Sequence, residues 1–116
     1  MSNSDLRLNL LEGSVSFKFS IDAAKQLKAE LSTLTQSLKV ASVSVGSTSR
    51  PERQNSMEYQ YTGDVFLELF CNPNIWSSPF AAKVLLTLRD DRIRLSTEAE
   101  LTRVIEDLNE YLEQNS

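Results

Sequence analysis

Acid–base catalysis by this chain would depend on its carboxylates. Two carboxyl groups in surroundings of different polarity can have well-separated pKa values, and such a pair supplies an acid and a base. Glu68 is the strongest candidate, because burial on the strand face that it shares with Phe66 and Phe70 would raise its pKa. Asp64 is the other candidate base. These residues predict one of two possible functions for the chain, a small-ligand-binding or lyase-type enzyme with a pocket between sheet and helix. It is the alternative to the protein-interaction function derived below.

The composition excludes most other catalytic machinery. The 116 residues include no histidine and one cysteine, Cys71, which excludes a Ser-His-Asp triad, a Cys-His dyad, a Cys/His zinc site and an intrachain disulfide. Three glycines, at positions 13, 46 and 63, do not provide the pattern of a P-loop or a dinucleotide-binding loop. Asp90 and Asp91 are typical of a turn, and the flanking Arg89 and Arg92 oppose a bound cation. We therefore expect no cofactor, no metal and no enzyme.

The charge distribution narrows the choice of partner. Twelve basic and sixteen acidic side chains give a net charge of -4, which repels phosphate backbones and anionic lipids, so we expect neither nucleic acid nor membrane as a partner. From Ser96 onward, acidic residues outnumber Arg103 by six to one. This pattern is typical of a solvated helix face, or of a docking surface for a basic partner. Arg89, Arg92 and Arg94 are either the outward face of a hairpin or a contact for an acidic partner.

The pattern of charged and apolar residues near the first residue, the lack of a long apolar window and the single cysteine predict a cytoplasmic protein. Asp5, Arg7 and Glu12 interrupt every apolar stretch near the first residue, so no secretory signal is expected. No window approaches the roughly 18 to 20 apolar residues of a membrane helix. Cys71, amid apolar neighbours, is interpreted as a buried small hydrophobic residue in a reducing compartment.

Hydrophobic periodicity predicts a hairpin and a helix in the first part of the chain. Apolar residues alternate over residues 6–10 and again over residues 15–21, which predicts two paired strands. Spacings of three and four between Ala24 and Leu38 then predict a helix capped by Ser20 or Asp22. We expect this helix to end near Lys39, because β-branched residues alternate over residues 40–45. Residues 46–56 contain no hydrophobic side chain and predict a mobile loop, either a tolerated insertion or a segment that closes over a partner.

The second part of the chain predicts strands followed by a helix. Residues 57–71 alternate across Gly63, which indicates either one bent strand or a hairpin. Residues 84–88 predict another strand, and residues 89–92 a turn into a further strand that includes Ile93 and Leu95. Thr97 and Glu100 form a capping-box pattern before an amphipathic stretch over residues 101–112. The chain is therefore predicted to be a single α+β domain over residues 1–116, with an antiparallel sheet of about five or six strands, two amphipathic helices and the order ββαββββα.

The connection after Cys71 contains the residues that point most directly to a function. Ile75, Trp76 and Phe80 are large apolar side chains in a segment that carries two prolines instead of a regular element. They either fold back to plug the end of the sandwich or form a partner-binding or dimer-forming patch, because Trp and Phe are enriched at interface hot spots.

Met57, Tyr59 and Tyr61 leave the same choice open. They share one strand face, which is either core or part of a sheet edge open to strand addition. Together with the connection, they predict a non-enzymatic protein-interaction module: a small acidic adaptor or assembly chaperone that binds a peptide segment or subunit of a larger complex. A homodimer through the same apolar patch is compatible with this hypothesis.

Overall fold

The predicted element order is confirmed by a computed structural model, which describes residues 4–43 and 53–115. The elements are β1 (Ser4–Leu10), β2 (Gly13–Phe19), α1 (Ile21–Val43), β3 (Met57–Thr62), β4 (Phe66–Cys71), a short 3-10 helix (Pro73–Ile75), β5 (Lys83–Arg89), β6 (Arg94–Glu100) and α2 (Leu101–Asn115). No helix in this part of the chain has the length and apolar character needed to cross a membrane.

The six strands form two antiparallel sheets instead of one. β1 and β2 form a two-stranded hairpin, whose turn includes Gly13 at a φ of +145°, a conformation that L side chains rarely adopt. The other four strands form a meander in the order β3-β4-β5-β6. The fold is therefore α+β, and β3 and β6 are the outer strands of the larger sheet.

One hydrophobic core joins the hairpin, both helices and one face of the four-stranded sheet. The Tyr59 hydroxyl donates to the Ala23 carbonyl oxygen of α1 at 3.4 Å, so α1 covers this face beside β3. The buried hydrophobic residues of the sheet share one parity on each strand: Met57 and Tyr59 in β3, Leu67, Leu69 and Cys71 in β4, Val84, Leu86 and Leu88 in β5, and Ala99 in β6. Thr87 of β5 is also buried, at the opposite parity.

Helix α1 begins where the sequence predicts and ends later. The Ser20 Oγ accepts a hydrogen bond from the Ala23 amide at 3.0 Å, which identifies Ser20 as the cap. Ile21 belongs to the helix and not to the preceding strand. The predicted end near Lys39 is wrong, because the helix continues to Val43. The weak strand preference of β-branched residues does not overcome propagation of a helix already held by its buried stripe.

Most of the predicted mobile loop over residues 46–56 lies outside the described residues. The described part, residues 53–56, contains no regular element and leads directly into β3.

Residues 57–71 form a hairpin, which resolves the choice left open by the sequence. Met57 pairs with Cys71 and Thr62 pairs with Phe66. The Gly63 amide donates to the Val65 carbonyl oxygen at 3.0 Å and closes the turn.

Helix α2 is confirmed, but the predicted capping box is wrong. Thr97 and Glu100 lie in β6, where they pair with Leu86 and Lys83. The helix starts at Leu101, directly after the strand, and the Leu101 amide donates to the Ala82 carbonyl oxygen at 3.1 Å. Thr97 and Glu100, which the local sequence pattern assigned to a helix cap, instead form part of the antiparallel pairing between β6 and β5.

Candidate protein-interaction surface

Side-chain hydrogen bonds hold the first part of the β4–β5 connection, residues 72–82, and the Ala81 amide donates to Ser78 in its second part. The Asn72 Oδ1 accepts hydrogen bonds from the Asn74 amide at 3.0 Å and from its Nδ2 at 2.9 Å. Asn74 and Gln54 exchange two further hydrogen bonds: the Gln54 amide donates to the Asn74 Oδ1 at 2.8 Å, and the Asn74 Nδ2 donates to the Gln54 carbonyl oxygen at 2.7 Å. The connection is therefore tied to the segment that precedes β3.

Trp76 anchors this connection from inside. Its side chain is half-buried and packs against the core. Burial raises the pKa of the neighbouring Cys71 thiol, and a side-chain hydrogen bond with Trp76 offsets part of that rise. Cys71 is thus confirmed as a buried small residue. Of the three apolar residues singled out in the connection, Trp76 is the one that turns inward.

Ile75 and Phe80 point outward. Ile75 is 67% exposed and Phe80 is 85% exposed. Two more exposed apolar residues lie at the adjoining strand ends, Phe70 at 37% and Leu85 at 47%. These four, which we call the apolar patch, make up most of the seven large hydrophobic residues exposed in the described part of the chain. Of the two interpretations given for this connection, packing against the end of the core describes Trp76. It does not describe Ile75 or Phe80, which are exposed.

The face of the four-stranded sheet opposite the helices, which we call the open face, consists of three complete cross-strand rows and, beyond them on β5 and β6, the pair Lys83 and Glu100. The end row, nearest the β4–β5 connection, is Glu58, Phe70, Leu85 and Glu98. The middle row is Gln60, Glu68, Thr87 and Ser96. The far row is Thr62, Phe66, Arg89 and Arg94. An apolar pair flanked by two acids thus lies at one end, and two arginines lie at the other.

Strand β3 contributes side chains to the core and is an outer strand of the sheet. Met57 and Tyr59 are buried, and Tyr61 is half-buried with its ring centroid 4.7 Å from that of Phe19. Their side chains therefore belong to the core side of the sheet. β3 is nevertheless an outer strand, so a partner would meet its backbone and its outward side chains, including Glu58 and Gln60.

The candidate catalytic carboxylates do not lie between the sheet and the helices. Glu68 is half-buried on the open face, where its Oε2 accepts a hydrogen bond from the Gln60 Nε2 at 3.0 Å. Asp64 is exposed in the β3–β4 turn. A groove of about 260 Å³ lies between the two helices. It is lined by Lys28, Leu31, Ser32, Thr35, Gln36, Ile105 and Leu108, none of which is a carboxylate. Among the described residues, no group of three or more Cys, Asp or Glu side chains could hold a metal ion.

The charged segments have mixed roles. Asp107, in the acidic final helix, is buried and accepts hydrogen bonds from the Asn9 amide at 2.8 Å and its Nδ2 at 3.0 Å. It therefore joins α2 to β1 and is not a docking residue. In the basic cluster, the Arg89 guanidinium lies over the Phe66 ring, 4.3 Å from its centroid. Asp90 closes the β5–β6 turn by accepting hydrogen bonds from the Arg92 and Ile93 amides, as its turn-forming role predicts.

Phe70, Leu85, Glu58 and Glu98 are neighbours across four strands, which the sequence pattern did not predict. A signal for two of them exists: Phe70 and Leu85 are apolar residues at positions whose parity assigns them to the solvent side of β4 and β5. The two acids become part of the site through strand register, which single-strand patterns do not contain.

Comparison with protein-family models, with curated proteins and with solved structures finds no match to this chain.

Proposed function

We propose that this chain is a non-enzymatic protein-interaction module, a small acidic adaptor or assembly chaperone that binds a peptide segment or subunit of a larger complex. The apolar patch and the neighbouring strand β3 form the contact surface. The observation that carries the proposal is the exposure of Ile75 and Phe80 on a connection whose backbone is held by side-chain hydrogen bonds. Phe70 and Leu85 are neighbours on the open face, and the short 3-10 helix that ends at Ile75 lies against α1. Exposed apolar residues concentrated at one end of a sheet are typical of interaction sites.

The energetics support two anchor residues. Full burial of an Ile or Phe side chain stabilises a complex by roughly 1.5–3 kcal/mol each. The Asn72, Asn74 and Gln54 hydrogen bonds hold the connection in place before binding, which reduces the entropy lost on association. Ile75 and Phe80 are therefore suited to act as hot spots.

Strand β3 is close enough to contribute to the same contact. Gln54 precedes β3 and is hydrogen-bonded to Asn74 in the connection, while Met57 pairs with Cys71 at the end of β4. The start of the outer strand and the apolar patch therefore lie at the same end of the sheet. A partner segment that pairs with the β3 backbone would pass beside the patch.

Matched substitutions of two isoleucines test this proposal. Ile75 lies in the patch and is 67% exposed, whereas Ile93 lies in the β5–β6 turn and is 64% exposed. Affinity capture from native extract, read by mass spectrometry, compares wild type, Ile75→Ser, Ile75→Ser with Phe80→Ser, and Ile93→Ser. We expect a specific set of proteins to be lost with the patch variants and retained with Ile93→Ser.

Size-exclusion chromatography with light scattering on the purified chain accompanies this capture. It shows whether a homodimer uses the same patch, in which case Ile75→Ser with Phe80→Ser would dissociate it. Identical protein sets with all four baits, together with an unchanged molar mass, would contradict the proposed function.

A further inference from the structure

The end row of the open face indicates the chemistry of the segment that binds. We infer that it takes an extended partner segment with Lys or Arg at positions i and i+4 and a large apolar residue at i+2. Glu58 and Glu98 would meet the basic side chains, and Phe70 and Leu85 would meet the apolar one. This inference rests on the proposed function, because it names the chemistry of the partner segment.

The geometry of the row matches that spacing. Glu58 and Glu98 lie on β3 and β6, three inter-strand steps apart, which separates their backbones by about 14 Å at roughly 4.8 Å per step. Four residues of extended chain span about 13–14 Å, and side chains at i, i+2 and i+4 lie on one face. The middle side chain then falls between Phe70 and Leu85.

The charges around the row favour a basic segment. Glu58 and Glu98 are exposed, and neither forms an ion pair with another described residue. Glu12, in the β1–β2 turn, lines a groove of about 330 Å³ with Glu98, so a second acid lies near that end. Lys83, on the same face beyond Leu85, is paired in register with Glu100. Acidic side chains therefore flank the apolar pair on both sides, which complements two cations separated by an apolar group.

The rest of the open face determines the direction of the segment. Arg89 and Arg94 in the far row would repel a basic segment laid parallel to the strands. A segment that follows the end row across the strands avoids these arginines and keeps both of its basic residues on acids. We therefore place it approximately perpendicular to β4 and β5, so that it crosses β3 at Glu58 and does not pair along the β3 backbone.

A second copy of this chain fits the open face poorly. A two-fold axis perpendicular to the strands would stack the middle row on itself and bring the Glu68 carboxylates of both copies together. A two-fold axis parallel to the strands would stack Glu58 on Glu98. The first arrangement places Glu98 of one copy against Arg94 of the other, but it also places Leu85 against Arg89. Both arrangements bring like charges together, which is unfavourable at an interface.

A displayed library of random nine-residue segments, selected on the full purified chain, tests the inference. We expect enrichment of segments with two basic residues four positions apart and an apolar residue midway. Fluorescence anisotropy with a synthetic enriched peptide then compares wild type with Glu58→Gln/Glu98→Gln and with the control Glu106→Gln/Glu110→Gln, which removes the same charge from α2. We expect a loss of affinity of about three- to tenfold for the end-row variant and no loss for the control.

Two results would overturn the inference: no enriched segment with the basic–apolar–basic spacing, or equal affinity of the enriched peptide for wild type and for Glu58→Gln/Glu98→Gln. A peptide with the basic residues three positions apart should bind more weakly, and equal binding would also contradict the proposed spacing. If capture from extract still depends on Ile75 and Phe80 while these tests fail, the proposed function stands and the inferred chemistry of the partner segment is wrong.

Discussion

The two faces of the four-stranded sheet use the same residue types for opposite purposes. Leu86 lies on the helix-covered face and is fully buried, whereas Leu85, one residue earlier, lies on the open face and is about half exposed. Cys71 and Phe70 show the same contrast at the end of β4. For the apolar residues of this sheet, parity along the strand therefore separates core from surface, while the polar Thr87 is buried on the open face. Phe70 and Leu85 are the apolar residues that this parity leaves exposed in the sheet.

Truncation of adjacent leucines should produce the largest difference between the faces. Leu86→Ala removes a fully buried side chain and is expected to lower the free energy of unfolding by about 2–5 kcal/mol. Leu85→Ala should change it by less than about 1 kcal/mol, because little core contact is lost. Urea unfolding followed by circular dichroism measures both. Equal destabilisation by the two substitutions would show that the open face is packed in solution.

The elements that the sequence predicted correctly are those whose periodicity reflects burial. Leu6 and Leu8, and the stripe from Ala24 to Leu38, are buried as their spacing indicates. The errors lie at boundaries. Thr97 and Glu100 match a capping box locally, but pairing with β5 keeps them in a strand. Residue preferences cannot predict which of two compatible elements tertiary pairing will select.

The part of the candidate site in the β4–β5 connection could be predicted from the sequence, whereas the part on the sheet could not. Ile75 and Phe80 attract attention because large apolar residues are unusual in a connection, and both are exposed. The inward position of Trp76 depends on its contact with Cys71 and the core, which the sequence does not contain. The end row depends on the register of four strands, so Glu58 and Glu98 could not be related from sequence alone.

Substitution of a buried acid in α2 should destabilise the fold, as substitution on the helix-covered face of the sheet does. Substitution of an exposed acid should not. Asp107→Ala leaves the Asn9 amide without its acceptor and is expected to lower the free energy of unfolding by about 1.5–3 kcal/mol. Glu106→Ala, one residue earlier and exposed, is the matched control and should be nearly neutral. Urea unfolding of both variants tests this expectation. A neutral Asp107→Ala would mean that the contact between α2 and β1 adds little to stability.

Thiol reactivity should distinguish the faces at neighbouring positions. Cys71 is buried and its thiol pKa is raised by that burial, so little reactive thiolate is available. In the variant Phe70→Cys with Cys71→Ala, the thiol moves to the open face. We expect the native wild-type protein to react with a disulfide reagent at least about tenfold more slowly than this variant. The rates should become similar in urea, and similar rates in the native state would contradict the assigned parity.

The smallest effect concerns the turn at the far end of the sheet. The Asp90 carboxylate accepts hydrogen bonds from the Ile93 and Arg92 amides, which lower its pKa below the ordinary value of an aspartate. Because the folded-state pKa is the lower one, this stabilisation is present above the ordinary pKa and is lost as the pH falls through the folded-state value. Asp90→Ala should therefore lower Tm slightly at neutral pH and have no effect below that value. Thermal unfolding across a pH series, with an NMR titration of the Asp90 carboxyl carbon, tests this, and an unchanged neutral-pH Tm would indicate that strand pairing alone holds the turn.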